Sequence, residues 1–127
     1  MKNGVLSRIA KKRFAQALNG SASFPIIKMV AIGDGGINNT GEVRTVLEDD
    51  IALHHELLRK NTASVTPLTE SRYRYEIRIE KNELIEQEIS ELALIDEEGN
   101  LFYTECFSPK MHHRDTEKVF EVDIDFC

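Results

Sequence analysis

The stretch RYRYEIRIE, running from Arg72 to Glu80, carries the clearest structural signal in the chain. Tyr73, Tyr75, Ile77 and Ile79 alternate with Arg72, Arg74, Glu76, Arg78 and Glu80. Successive side chains of a β-strand point to opposite faces, so this period predicts a strand with one buried and one charged face. Downstream, the apolar runs Ile89 to Ile95 and Leu101 to Phe107 flank Asp96-Glu97-Glu98-Gly99-Asn100. Turn residues between two such runs predict a hairpin. Lys118 to Phe126 alternates again, with Phe120, Val122, Ile124 and Phe126 facing in and Glu121, Asp123 and Asp125 facing out.

Upstream, Phe24 to Ile32 is apolar on both alternations, as expected of a strand covered on both faces. It ends at Gly33-Asp34-Gly35-Gly36, which opens a Gly/Asn/Thr-rich loop reaching Gly41. Residues 6 to 19 predict a short helix with Ser7 as N-cap and Asn19-Gly20 as stop signal. Leu6, Ile9, Ala10, Phe14, Ala17 and Leu18 would line its apolar face, and Lys11, Lys12 and Arg13 a solvated one. Val43 to Lys60 fits two descriptions: a helix lined by Ile51, Leu53, Leu57 and Leu58, or a bent strand carrying Ile51, Leu53 and His55. Asn61 to Pro67 reads as a connection. The expected class is α+β: one domain over residues 1–127, a short N-terminal helix packed on a mainly antiparallel β-sheet or β-sandwich.

Composition narrows the function. Across 127 residues, 16 Lys+Arg against 22 Asp+Glu leave a net charge of −6. Dense cationic surface dominates affinity for a phosphate backbone, so nucleic acid is not an expected partner. With no Trp and 7% aromatics, a base-stacking platform is not expected either. No apolar run approaches the ~20 residues of a membrane-spanning helix. The N-terminal residues lack a secretory pattern, so Cys106 and Cys127 are expected as free thiols in a reducing cytoplasm.

Candidate chemistry is sparse. Gly33-Asp34-Gly35-Gly36 follows a strand but lacks the Lys-Ser/Thr of a P-loop and the helix of a dinucleotide loop. Its glycines are expected to supply positive φ in a tight turn. His54-His55, His112-His113 and Cys106 are the residue types that hold zinc, without the spacing of a known site. They define the alternative reading, a small metal-binding protein or enzyme. Glu48-Asp49-Asp50 and Glu83, Glu86, Glu88 and Glu91 are expected mostly on the solvated surface, and no GxSxG nucleophile motif is present. The expectation is therefore a non-enzyme with no cofactor and no metal.

The order of elements resembles the phage tail-collar fibre family, typified by the N-terminal part of P2-like tail fibres. Val5-Leu6-Ser7 opens the short helix; Ala31-Ile32-Gly33-Asp34-Gly35 resembles the family's A-x-G-D-G turn. Leu53 to Arg59 with Glu56 resembles its L-x-x-E segment. Ser90-Glu91-Leu92-Ala93-Leu94-Ile95-Asp96, then Gly99 and Leu101, resembles its R-E-L-G-L-Y-D-x-x-G-x-L hairpin, with Ser90 replacing Arg and Ala93 replacing Gly. Gly33, Asp34, Gly35, Glu91, Leu92, Leu94, Asp96 and Gly99 are the motif positions. The resemblance implies a virion or prophage tail protein, made and assembled in the bacterial cytoplasm, that anchors a fibre to a baseplate. It also implies a homo-oligomer, with a trimer favoured, and baseplate or other tail proteins as partners. Longer members continue into a shaft and receptor-binding tip, so a chain ending at Cys127 is expected to keep the attachment role alone.

Overall fold

A computed structural model describes residues 4–62, 64–112 and 117–125. In chain order its elements are β1 (Gly4–Leu6), α1 (Arg8–Leu18), β2 (Ile27–Gly33), β3 (Glu56–Asn61), β4 (Ser64–Pro67), β5 (Arg72–Ile79), β6 (Glu88–Asp96), β7 (Leu101–Met111) and β8 (Lys118–Asp125). The strands form two antiparallel sheets, one ordered β1-β7-β6-β2-β3 and the other β4-β5-β8. The fold is mainly β with one small helix, in keeping with the expected short N-terminal helix and mainly antiparallel strands.

Amphipathic β5 does what its period predicts: Ile77 and Ile79 are fully buried, whereas Tyr73 at the other end stays partly exposed. With Phe120, Val122 and Ile124 of β8, they pack against Val30, Ile32, Leu92 and Leu94 of the larger sheet. A second cluster, Ala31, Ala93, Ile95 and Leu101, covers the opposite face of the larger sheet and includes Leu53 from the loop between β2 and β3. Loop coverage explains why β2 and β6 are apolar on both alternations. The β6–β7 hairpin is as expected, with Gly99 at positive φ in its turn.

Several expectations are corrected. Leu6 lies in β1, paired with Tyr103, so the helix begins after Ser7 rather than at residue 6. Ser7 does cap it: its Oγ accepts from the Ala10 amide at 3.0 Å and donates to the Leu101 carbonyl at 2.6 Å. Leu18 faces solvent instead of the core. Val43 to Lys60 forms neither a helix nor a bent strand from Ile51. Ile51 is exposed, Leu53 is buried in the loop, and the strand starts only at Glu56. Asn61 to Pro67 is not a mere connection, because residues 64–67 pair with β5 as an edge strand. All four are exposed, so no burial period marks them. Phe126 lies outside the described residues.

Candidate functional site

Glu91 sits mid-β6 on the loop-covered face and is fully buried. Its Oε2 accepts from the amides of Gly35 at 2.9 Å and His55 at 2.8 Å, and its Oε1 from that of His54 at 2.9 Å. Beside it, Ser90 Oγ accepts from the Gly36 amide at 2.9 Å. The carboxyl group thus ties both ends of the β2–β3 loop to the sheet centre. Arg44 secures the same loop, its Nε donating to the Gly35 carbonyl at 2.8 Å. Asp34 caps the outside of this corner by bonding the exposed His55 ring.

The glycines are there for closeness, not for positive φ. None of Gly33, Gly35 and Gly36 is among the positive-φ residues. A Cβ on Gly33 would stand 2.1 Å from the His55 carbonyl oxygen, and one on Gly36 would stand 2.0 Å from that of Ser90. Real Cβ atoms do not approach backbone oxygen so closely, so the loop must move to accept a methyl group. Gly36→Ala is therefore expected to lower stability by about 2–3 kcal/mol, measurable as a shift of the urea midpoint. Gly20→Ala, with open space around its Cβ, tests only the positive-φ penalty and is expected to cost about 1 kcal/mol.

The second motif site is the β6–β7 turn. Asp96 is buried, and its Oδ1 accepts from the amides of Glu98 at 3.0 Å and Asn100 at 2.8 Å. Its Oδ2 receives a bond from Arg13 Nη1 at 2.8 Å. The same guanidinium holds Glu97 through both nitrogens, at 2.7 and 2.6 Å, while Glu97 also accepts from the Ile26 amide at 3.0 Å. Helix, hairpin turn and the entry to β2 are joined there. Arg13 is only 8% exposed, which corrects its placement on a solvated face. Two more helix cations also meet acids of their own chain: Arg8 pairs with Glu48 and Asp49, and Lys11 with Glu48. Leu92 and Leu94 are core residues between the sheets.

Among the described residues, no three His, Cys, Asp or Glu side chains group as a metal site. His54 and His55 lie in the bend that leads into β3. His112 is buried, its Nδ1 on the Glu83 carbonyl, and His113 lies outside the described residues. Burial, and then the nearby Glu91 carboxyl, push the Cys106 thiol up to about 11. Thiolate is the reactive form, so Cys106 in a Cys127→Ser variant is expected to resist iodoacetamide at pH 8 and to react on unfolding. Rapid labelling of the folded protein would contradict this burial. No helix among the described residues is long and apolar enough to cross a membrane.

One surface feature escaped sequence reading. A groove of about 410 Å³, lined by Phe14, Pro25, Ile27, Val65, Tyr75 and Phe102 among others, opens between helix, β2 and the smaller sheet. At its mouth Ile26 is 54% and Val65 45% exposed, and Phe24, 6.5 Å from Phe14 ring to ring, is 54% exposed. Large apolar side chains gathered on a surface mark binding sites more often than isolated ones do. The period of Phe24 to Ile32 placed Phe24 and Ile26 inside a strand, and only the late start of β2 leaves them outside.

Compared with protein-family models, curated proteins and solved structures, the chain matches none.

Proposed function

We propose that this chain is a structural attachment module of the phage tail-collar fibre type, a β-sandwich with a helix at one edge that docks a fibre onto a contractile-tail baseplate. The observation that carries the reading is the convergence on Glu91. Gly35 and Glu91 belong to two sequence blocks that resemble the family, 56 residues apart, and they meet through a buried hydrogen bond. A third block, around Leu53 to Arg59, meets them through the His55 amide. Spacing that serves one joint in space is stronger support for the resemblance than three separate turns would be. The groove beside Phe24 and Ile26 supplies an apolar contact of the kind a protein interface buries at its centre.

The test is location and assembly. Antibody labelling of purified contractile tails should mark the baseplate end, and light scattering after size exclusion should show an oligomer, a trimer by family likeness. Phe24→Glu with Ile26→Glu should abolish that assembly while leaving the melting temperature within a few degrees, since both side chains are already half exposed. A protein absent from intact tails and monomeric at every concentration would overturn the reading.

A further inference from the structure

The stop signal Asn19-Gly20 ends α1 in a cap made by the backbone. The Gly20 amide donates to the Ala17 carbonyl at 3.1 Å and the Ser21 amide to the Gln16 carbonyl at 2.9 Å, with Gly20 at a φ of 81°. Such a pair of bonds across a left-handed glycine is a common helix ending. The same two residues carry a second chemistry. An asparagine followed by glycine can close into a cyclic imide, because the glycine nitrogen has no adjacent Cβ to shield it from the carboxamide.

Three observations favour that reaction at this place. The chain is exposed without a break from Leu18 to Phe24. Nothing stands within 4 Å of where a Cβ on Gly20 would be, so no neighbouring residue crowds the ring. The Ser21 amide, at 3.0 Å, and the Ser21 hydroxyl both donate to Asn19 Oδ1, which draws electron density from Cγ. The backbone opposes it. Asn19 has a ψ of 7°, which sets the Gly20 nitrogen alongside the Asn19 amide nitrogen and away from Cβ. Ring closure therefore needs a rotation about the Cα–C bond of Asn19 that breaks both cap bonds. They lie at an exposed helix end, where local opening costs far less than unfolding the molecule.

We infer that Asn19 is a site of spontaneous deamidation and that the helix cap sets its rate. When the cap opens, the Gly20 nitrogen gives its proton to hydroxide and attacks Asn19 Cγ. The N–Cγ bond forms, the Cγ–NH2 bond breaks, and ammonia leaves with a proton from water. Water then opens the ring at either carbonyl, leaving aspartate or isoaspartate at position 19, with nothing oxidised or reduced. Isoaspartate routes the main chain through the former side chain and adds one methylene, so the two cap bonds cannot both re-form in register. The segment that follows carries Phe24 to its place 6.5 Å from the Phe14 ring, so the product alters the mouth of the groove. The inference stands on the cap and does not depend on the tail-fibre reading.

The full chain, held for weeks in mildly alkaline buffer with and without urea, tests this by peptide mapping with mass spectrometry. A gain of about 1 Da is expected on the peptide containing Asn19. Mapping separates it from the peptide containing Asn3, the chain's other asparagine before glycine, which lies outside the described residues. The folded chain should react at least about tenfold more slowly than the chain in urea. Hydrogen exchange at the Gly20 amide should be slowed by the same factor to within about threefold, since both reactions wait on the same opened bond. Gly20→Ala shields the nitrogen with a methyl group and should slow the reaction in urea about tenfold, a comparison that needs no folded variant. No gain at position 19 in either condition, or a gain in urea alone, would overturn the inference. So would equal rates in the two conditions, which would take the cap out of control, or an exchange factor unrelated to the ratio of rates.

Discussion

Replacing Glu91 with alanine is expected to lower the free energy of unfolding by about 4 kcal/mol, the largest single effect in this protein. Three amides, those of Gly35, His54 and His55, donate to that one buried carboxyl group, and its removal takes the acceptor from all three. A buried donor left unpaired costs about 1–3 kcal/mol, and the cavity adds to it. Glu91→Gln separates the two contributions. It fills the space, but an amide offers one acceptor oxygen where two are used, and its NH2 must confront at least one donor. The glutamine variant should therefore lose about half as much. Urea unfolding supplies the energies, and hydrogen exchange at the three amides supplies the location. A loss below about 1 kcal/mol for alanine would show that the loop holds without Glu91.

Arg13→Ala is expected to cost about 3–4 kcal/mol, because it strands a buried Asp96 and breaks a two-pronged bond to Glu97. The effect carries a pH signature. The Arg13 hydrogen bond first, and the Ile26 amide second, hold the Glu97 carboxyl down to about 2, from an ordinary value of 4.5. A group whose folded pKa is depressed contributes stability above its unfolded value and loses it as pH falls through the folded one. Wild-type stability should thus decline between about pH 4.5 and 2 from this group. In the Arg13→Ala variant that part of the acid limb should flatten. An unchanged acid limb would assign the acid sensitivity to other carboxyls.

The helix shows where sequence reading stops. At about 100° per residue, Arg13 lies beside Ala10 and Ala17 on the wheel, so geometry alone placed it near the buried face. Its charge argued for solvent, and that argument failed because Asp96 and Glu97 arrive opposite it from 83 and 84 residues away. Glu91 followed the same logic in reverse. It interrupts an apolar run as a charged residue would on a surface, yet the β2–β3 loop folds over it and turns its oxygens into acceptors. β4 was missed for a different reason, since a strand exposed on both faces has no burial period to read.

From the sequence by itself came the strands whose two faces differ, β5 and β8, the hairpin around Gly99, the capping role of Ser7, and the ordered blocks that motivate the tail-collar reading. Each rests on a local rule, a period of two, a turn or a cap, that needs no knowledge of distant residues. The tertiary structure decided which charges are buried, why three glycines cannot carry a side chain, and which apolar residues are left at a groove. Those depend on what the chain brings into contact from far along its length, and hydrogen bonding and close packing act on that proximity alone.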